Sequence, residues 1–281
     1  MRPHEVNPPG TSALAQQKNM RPLIVIAAEN PASVNIKRAL LSIAPKLEPQ
    51  GESFWSSPAF DMAEYPGRII DIVPAHGAEC YIFASTHKSE SAKPCFTAHT
   101  PGNWGAAGMG GEPRTLNIAS ASRLSAAVRK MKGLSDASSL KWEISVEVDH
   151  HGPTLGKPAL FVEIGSSEKE WGMQEAGRIC AQGIIAAATA APIPEAAVGF
   201  GGTHYCPKFT GCVLAGTPLG HIISGYSLER DGVDEGMVRQ AIEKSDCKVT
   251  RALLDWKGIK GGRRQELVAC LEKLGMQWEK A

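Results

Sequence analysis

Five of the eight histidines lie in short polar segments, each at or just after an apolar run typical of a strand. Imidazole titrates near neutral pH and is the commonest ligand of catalytic zinc. Because a rigid sheet can direct such side chains into one cleft, the pattern predicts a hydrolytic or metal-assisted site. The candidate metal ligands are His87, His99, His150, His151 and His204.

Two adjacent histidines, His150 and His151, precede a Gly-Pro turn. Neighbouring side chains on a strand point to opposite faces, so only one of them faces the site unless the turn rotates the second. Asp149 could orient an imidazole through its other ring nitrogen. A turn with surface histidines is the alternative, but a His-His pair has no obvious packing role here. Thr154, in the same turn, is a candidate for substrate binding.

Three glycines precede His204 in the segment GFGGTHYCPKFTG. Glycine permits positive φ and lets backbone N–H groups approach an oxyanion or a phosphate. The spacing is neither that of a Walker loop nor G-x-G-x-x-G, and a flexible connection is the alternative. A connection alone does not explain the polar residues that crowd behind the glycines. The candidate substrate-binding residues are Gly201, Gly202, Thr203, Tyr205 and Lys208.

His87 and Glu90 are three residues apart, so one turn of helix would place them on one face as metal ligands or an acid–base pair. This spacing is common by chance. His99 beside Pro101-Gly102-Asn103 is equally compatible with a structural loop. Because histidines flank residues 101–113, we interpret that segment as an active-site loop, with Asn103 a candidate for substrate binding.

The elements that must position these residues predict an α/β fold. Leu23–Ala28 is a continuous apolar run, typical of a strand covered on both faces. Asn30 and Pro31 then supply an N-cap and an N1 proline for a helix to about Leu41. Trp142–Asp149 alternates apolar and polar residues, which predicts a strand with one wetter face, near an edge or lining a cleft.

Further elements follow from apolar runs, capping patterns and glycines. The other predicted strands are Arg68–Val73, Cys80–Ser85, Pro158–Ile164, Ala197–Phe200, Cys212–Ala215 and His221–Leu228. The other predicted helices cover 115–131, a long segment from the Ser167/Glu170 capping box to about Ala191, 233–244, and 263–274 with Gly275 at C′.

Composition narrows the class of protein. The net charge of +1 excludes a strongly cationic nucleic-acid coat. Seven scattered cysteines without a C-x-x-C pair fit a reduced cytosolic protein. No stretch approaches the roughly 18 apolar residues of a membrane span, and the start of the chain lacks a signal peptide. We therefore expect a cytoplasmic protein with a flexible N-terminal extension (residues 1–19) and a single α/β domain (residues 20–281).

One basic run, Lys257, Lys260, Arg263 and Arg264, is concentrated enough to engage phosphates, because Gly261-Gly262 would let its loop bend around a polyanion. A solvated face is the commoner explanation of such a run.

Together these segments resemble the archaeal type of D-aminoacyl-tRNA deacylase, a family shared with plants. The resemblance rests on STHKSES, TAHTPGNWG, DHHGPT, PALFVEIGSSEKEW and GFGGTHYCPKFT, in that order, and runs from about residue 23 to the C-terminus. It implies a phosphorylase/hydrolase-like fold, three-layer α/β/α with a mixed central sheet. It also implies hydrolysis of the ester of D-aminoacyl-tRNA, which would release free tRNA and a D-amino acid in translation quality control.

The resemblance further implies zinc, held by some of the five histidines, which would lower the pKa of a bound water toward ~7. The Gly201-Gly202 backbone or the metal would stabilise the oxyanion, and Tyr205 or Lys208 could donate to it or hold the terminal phosphate. A metal-free mechanism, with His150 or His204 as base, also fits the sequence. The candidate catalytic residues are His150, His151, His204 and Glu90.

Three alternatives remain open at this point: a zinc peptidase or amidohydrolase, a phosphorylase of the same fold class, and an RNA-binding module without chemistry. The expected partner is the acceptor end of D-aminoacyl-tRNA, with no membrane, and we expect a monomer.

Overall fold

The computed structural model describes residues 20–281, so the extension predicted over residues 1–19 lies outside the described residues. Within them, the helices are α1 (Pro31–Ile43), α2 (Ala121–Ala137), α3 (Glu168–Trp171), α4 (Gln174–Ala188), α5 (Pro207–Leu214), α6 (Gly225–Asp231), α7 (Glu235–Glu243) and α8 (Gly261–Lys273). Short 3₁₀ helices cover Ile69–Asp71 and Trp256–Gly258.

The strands form a large sheet, a smaller one and a two-stranded ribbon. In chain order they are β1 (Leu23–Ala27), β2 (Glu48–Pro49), β3 (Phe54–Ser56), β4 (Asp61–Tyr65), β5 (Tyr81–Thr86), β6 (Cys95–His99), β7 (Gly102–Asn103), β8 (Thr115–Leu116), β9 (Glu143–Val146), β10 (Ala159–Gly165), β11 (Glu195–Phe200), β12 (Leu219–Ile223), β13 (Lys248–Leu254) and β14 (Gln277–Lys280).

The large sheet has the order β2-β3-β4-β1-β5-β10-β6-β9. Strands β4, β1, β5 and β10 are parallel, whereas β6 runs antiparallel to β10 and β9 runs parallel to β6. The predicted α/β class with a mixed central sheet is confirmed. Strand β9 lies at one edge, as its alternating sequence predicts.

The start of the chain folds as its sequence predicts. All five residues of β1 are buried, as expected of a strand covered on both faces. The Asn30 side chain accepts a hydrogen bond from the Ser33 amide (2.9 Å), and Pro31 opens α1. Helices α1, α2 and α4 pack side by side, and α1 and α4 also contact β1 and β5.

A crevice opens at the carboxyl ends of β1 and β5. After β1 the chain turns to one side and builds β2, β3 and β4, whereas β5 lies on the other side of β1. The connections that leave β1 and β5 therefore diverge. In open α/β sheets, ligands bind at such a switch of strand order.

The smaller sheet is parallel, with the order β12-β11-β13-β14, and has its own hydrophobic core. The residues that follow β9 hydrogen-bond to it. The Val148 amide donates to the His204 carbonyl (3.2 Å) and the Asp149 amide donates to the Ile222 carbonyl (2.8 Å). The segment that carries His150 and His151 is thus held between the two sheets.

Several predicted elements differ in the structure. Residues 212–214 belong to α5 and Ala215 is its C-cap, because Pro207 at N1 opens a helix here. The short run CVLA alone does not distinguish a helix from a strand. Arg68–Val73 contains a 3₁₀ turn, and His221–Leu228 is divided between β12 and α6. The capping box at Ser167 and Glu170 is confirmed, but it opens the four-residue α3, and α4 begins separately at Gln174.

The helix predicted over 115–131 begins later, at Ala121, because Thr115 and Leu116 form β8. The helices predicted over 233–244 and 263–274 are confirmed as α7 and α8, with Gly275 at a φ of +67°. The strands that prediction missed are β2, β3, β4, β6, β7, β8, β13 and β14. Over residues 20–281, none of the helices has the length and apolar character that crossing a membrane requires.

Candidate active site

The structure brings all five candidate histidines into one cluster. The ring centroids of His99 and His150 lie 4.1 Å apart, those of His150 and His151 4.4 Å, and those of His150 and His204 4.7 Å. His87 lies 6.2 Å from His204. The four segments of the sequence that carry these histidines therefore meet at one place.

Different elements deliver these side chains. His87 follows β5, and His99 is the last residue of β6, two strands away in the same sheet. His150 and His151 follow β9, the neighbour of β6. His204 comes from the loop between β11 and α5 in the smaller sheet. His151 has a φ of +46°, so its backbone turns sharply and both adjacent imidazoles reach the cluster.

Two buried glutamates complete the cluster. Glu147 Oε1 lies 3.0 Å from His87 Nδ1 and 3.6 Å from His204 Nε2, and Glu147 Oε2 lies 4.0 Å from His99 Nε2. Glu163 Oε2 lies 3.7 Å from His87 Nδ1 and 4.0 Å from His99 Nε2. Neither glutamate was singled out as a site residue from the sequence.

The sequence nevertheless contained features that could have identified both glutamates. Glu147 lies on the polar side of the alternating segment Trp142–Asp149. Glu163 is the one charged residue of β10, a strand whose seven residues are all buried. A carboxylate is rarely buried without a partner, so each position indicated a paired or metal-binding role.

Backbone carbonyls fix the orientation of three imidazoles. Nδ1 of His99 lies 3.2 Å from the Thr100 carbonyl oxygen, and Nδ1 of His150 lies 2.8 Å from that of Val148. Nδ1 of His151 lies 2.7 Å from the oxygen of Gly152. Because a carbonyl only accepts, Nδ1 carries the proton in each ring and Nε2 keeps its lone pair. Histidines that ligate metals are held in this way.

The other two histidines meet tyrosine hydroxyls instead. His87 Nε2 lies 2.8 Å from the Tyr205 hydroxyl, and His204 Nδ1 lies 3.3 Å from the Tyr226 hydroxyl. A hydroxyl can donate or accept, so these two rings are not confined to one tautomer. Tyr205 was predicted to bind substrate. Tyr226, at the start of α6, was not predicted, because no feature of the local sequence indicated a role in the site.

Burial sets the protonation of the cluster. It lowers the pKa of His99 and of His150 well below the ordinary value, and neighbouring histidines lower both further. Burial also lowers the pKa of His151 and of His204. These rings are therefore neutral near pH 7, the form that ligates metal. Burial, and then Glu163, raises the pKa of Glu147 well above its usual range.

The cluster contains buried polar atoms without partners. Among the described residues, both carboxylate oxygens of Glu147 and Nε2 of His99 have no hydrogen bond. Such atoms are costly unless an ion or a water satisfies them. The donor atoms also group within 4.8 Å of one another in three overlapping sets. The sets are His99/His150/His151, His87/Glu147/His204 and His99/Glu147/Glu163. Nitrogen and carboxylate donors of this kind suit zinc.

A cavity of about 660 Å³ opens onto the cluster at the carboxyl ends of β1 and β5. Its volume is in the range of small-molecule sites. Its polar lining at the cluster comprises His87, His150, His151, His204 and Glu163.

Three predicted site residues lie outside the cluster. Glu90 is exposed in a turn, because the residues after His87 are not helical and the expected pairing on one helix face does not form. Asn103 Nδ2 donates to the carbonyls of Gly110 and Glu112 (2.9 and 3.2 Å), and Thr154 Oγ1 accepts from the Glu112 amide (2.8 Å). Asn103 and Thr154 thus hold the 101–113 loop in place, and the loop contributes Met109 to the cavity wall.

The glycine segment does not offer the expected oxyanion hole. The Gly201 amide donates to the Ile223 carbonyl (2.7 Å) and the Gly202 amide donates to the Gly258 carbonyl (3.3 Å), so both N–H groups are occupied. Their φ values of +105° and +81° show why glycine is needed at this turn.

Two further residues of this segment do not line the cavity. Thr203 is exposed, and Lys208 pairs with Asp255 (2.8 Å). The substrate-binding role suggested for both residues stays a prediction.

Asp149 does not orient a cluster histidine. Its carboxylate meets Nδ1 of buried His221 and accepts from the Ile222 amide (2.9 Å), while His221 Nε2 lies 2.7 Å from the Lys244 carbonyl. This buried link ties the residue before His150 to the smaller sheet.

The basic run is largely occupied within the protein. Lys260 lies 3.2 Å from Glu229 and Arg263 lies 2.7 Å from Glu266. Arg264 donates to a backbone carbonyl and covers a tryptophan ring. None of the four basic residues lines the cavity.

Comparison with known proteins identifies the family that the chain is similar to. The sequence model of a family described as D-aminoacyl-tRNA deacylase matches residues 75–279. A D-aminoacyl-tRNA deacylase of Methanosarcina mazei is 36% identical over 279 residues, covering 92% of each chain. One of Thermococcus kodakarensis is 38% identical over 224 residues, covering 78% of this chain and 80% of the relative. A crystal structure of a conserved protein of unknown function superposes with a TM-score of 0.83 at 29% identity, covering 93% of this chain and 95% of the other.

Proposed function

The chain belongs to the D-aminoacyl-tRNA deacylase family, and from that premise we propose that it hydrolyses the ester between a D-amino acid and tRNA at a metal centre built from the histidine cluster. Family membership makes it a hydrolase of an aminoacyl-tRNA ester. It also removes the peptidase, phosphorylase and non-catalytic RNA-binding alternatives.

One observation carries the metal assignment: three converging imidazoles have Nδ1 on backbone carbonyls, and Nε2 of one of them, His99, lies 4.0 Å from a buried carboxylate that makes no hydrogen bond. The ligands in this proposal come from His99, His150 and His151, which form one group of donor atoms, and from Glu147, which shares a second group with His99. Zinc is the metal that such donors favour. When bound, it supplies a water of lowered pKa and a Lewis acid for the ester carbonyl.

The remaining residues handle substrate and protons. Glu163 lines the cavity and Thr97 Oγ1 donates to its Oε2 (3.1 Å), so we assign it as the base that takes a proton from the attacking water. The His204 side chain is 34% exposed and lines the cavity, so substrate can reach it. The proton that Glu163 takes from the water then passes through neutral His204 to the leaving ribose oxygen, with the Tyr226 hydroxyl at His204 Nδ1. This step releases free tRNA.

Substitutions test the assignment with two readouts. We expect His150→Ala and His151→Ala to lose bound zinc, measured by atomic absorption, together with hydrolysis of D-aminoacyl-tRNA. Glu163→Gln should keep its zinc and its KM but lose kcat by about 10²–10⁴-fold. Glu90→Gln is the matched control, because Glu90 is exposed outside the cavity, and it should behave as the unchanged protein. Full zinc binding and activity in His150→Ala and His151→Ala would contradict the proposal.

A further inference from the structure

The active-site cavity continues into a second depression. The cavity of about 660 Å³ and a groove of about 300 Å³ share Glu29, Asn30 and Pro31, the residues that lead into α1. The groove then follows α1 past Val34 as far as Arg38. From Pro31 to Arg38 the helix rises roughly 10 Å. Cavity and groove therefore form one track that leads out of the active site.

Three exposed cations lie along this track. Arg68 and Lys88 line the cavity, and Arg38 lines the groove. Arg68 is 69% exposed and its nearest carboxylate is 3.5 Å away on the adjacent turn. Among residues 20–281, no carboxylate lies within ion-pair distance of Lys88 or Arg38. Lys88 and Arg38 thus differ from Lys260 and Arg263 of the C-terminal basic run, which lie against carboxylates.

The acidic groups of the track are few. Glu29 is exposed where cavity and groove join, and Glu163 lies at the cavity floor beside the histidines. The remaining wall is partly apolar: Ile69, Ile70 and Met109 line the cavity, and Met109 is 57% exposed. Exposed apolar surface between cations suits a ligand with flat bases and a charged backbone.

We propose that this track binds the unpaired 3′ end of the tRNA. The aminoacylated terminal adenosine occupies the cavity with its base against Met109, the next phosphates meet Lys88 and Arg68, and the strand leaves along α1 past Arg38. The inference rests on the proposed function, because the ester must lie at the histidine cluster. A near-neutral protein can hold tRNA in this way, since a few phosphate contacts at the acceptor end are sufficient to place the ester.

Steady-state kinetics on D-aminoacyl-tRNA test the track. Lys88→Ala, Arg68→Ala and Arg38→Ala should each raise KM by about three- to tenfold and leave kcat within about twofold. Each should also make log(kcat/KM) less steeply dependent on log salt, by roughly 0.7 for each single-strand phosphate contact removed. The trinucleotide CCA should inhibit the unchanged protein competitively, and its inhibition constant should rise in the same variants.

Arg178→Ala is the matched control. Arg178 is an exposed arginine on α4 that lines neither the cavity nor the groove, so KM, salt dependence and inhibition by CCA should not change. If the three track variants behave as this control does, the inference is wrong while the deacylase assignment stands. If the unchanged protein leaves D-aminoacyl-tRNA intact, the proposed function itself fails.

Discussion

At the scale of single residues, Glu147 is a site residue whose burial costs folding stability. Its carboxylate is buried without a hydrogen bond, and His99, whose Nε2 lies 4.0 Å away, is neutral near pH 7. Burying a carboxyl group there destabilises the folded chain unless a counter-charge arrives, and burial accordingly raises its pKa. A metal ion is the counter-charge that the surrounding nitrogen donors would recruit.

Glu147→Gln should therefore separate stability from function. In chelator, we expect the variant to unfold with a free energy about 1–3 kcal/mol larger than that of the unchanged protein near pH 7, because glutamine removes the cost of burying a carboxyl group whose ionised form is disfavoured. Because burial raises the pKa of Glu147, this difference grows as the pH rises above 4.5 and fades as the pH falls toward 4.5. Zinc binding and hydrolysis should be lost. Chemical denaturation with and without zinc measures both, and a less stable metal-free variant would contradict this explanation.

The histidines predict how stability depends on pH. Burial lowers the pKa of His99, His150, His151 and His204 in the folded state, whereas the same side chains titrate near 6.5 when unfolded. Below pH 6.5 the unfolded chain binds protons that the folded chain does not, so acid destabilises the fold. Glu147 acts in the opposite direction, but it is one group against four.

The metal-free protein should accordingly lose stability between pH 7 and pH 5.5, by up to about 1.4 kcal/mol per pH unit for each histidine. Urea denaturation in chelator at the two pH values measures the change. A protein that is equally stable at both would show that the histidines are not held neutral.

Sequence reasoning found the histidines but not their partners. A histidine in a polar segment after a strand can be identified as a candidate from the local sequence alone. The role of Glu163 depends on knowing that β10 lies between β5 and β6, which the spacing of residues along the chain does not reveal. Tyr226, which contacts His204, lies 22 residues further along the chain, in a segment that was predicted as a strand.

At the scale of elements, the turn after β9 depends on close backbone contact. A Cβ at Gly152 would lie 2.6 Å from the Gly110 carbonyl carbon and 2.8 Å from the Ile70 carbonyl oxygen, and neither backbone atom can move freely. The 101–113 loop and the 3₁₀ turn at Ile69–Asp71 therefore both pack directly against the residue that follows His151.

Gly152→Ala should destabilise the protein by about 1–3 kcal/mol through overpacking and should displace His151 from the cluster. Gly156→Ala, in the same connection but with open space around its Cβ, is the control and should change neither stability nor activity measurably. Thermal unfolding and zinc binding of the pair distinguish them. Equal behaviour of the two variants would contradict the packing described here.

The buried link between Asp149 and His221 fixes the same turn from the other side. Asp149→Asn leaves His221 without its carboxylate in a buried position, and we expect a loss of about 3–5 kcal/mol. Denaturant titration measures the loss. An unchanged midpoint would show that the two sheets are held together at this point by their backbone hydrogen bonds alone.

Prediction of elements succeeded where local signals agreed. The apolar run of β1, the Asn30 cap and the Pro31 start all indicated the same strand and helix. It failed at short apolar runs such as CVLA, because four residues fit either periodicity and the deciding feature was Pro207 upstream. Strand β6 was missed because its sequence, CFTAH, carries two polar residues that face the site.

At the scale of the whole molecule, the site forms where two sheets meet. The large sheet supplies His87, His99 and Glu163, and the smaller sheet supplies the loop with His204. A mixed central sheet was predictable from the resemblance of the motifs to a known family. The division of the strands between two sheets was not, because the order of strands in a sheet depends on contacts between distant residues.

The decisive measurement is deacylation of D- and L-aminoacyl-tRNA by the purified protein, with chelator and with added zinc. We expect the D-aminoacyl ester to be hydrolysed, chelator to abolish the reaction, zinc to restore it, and the L-aminoacyl ester to survive. Undiminished hydrolysis of the D-aminoacyl ester after complete removal of metal would contradict the metal centre. A D-aminoacyl-tRNA that stays intact even with zinc would contradict the proposed function.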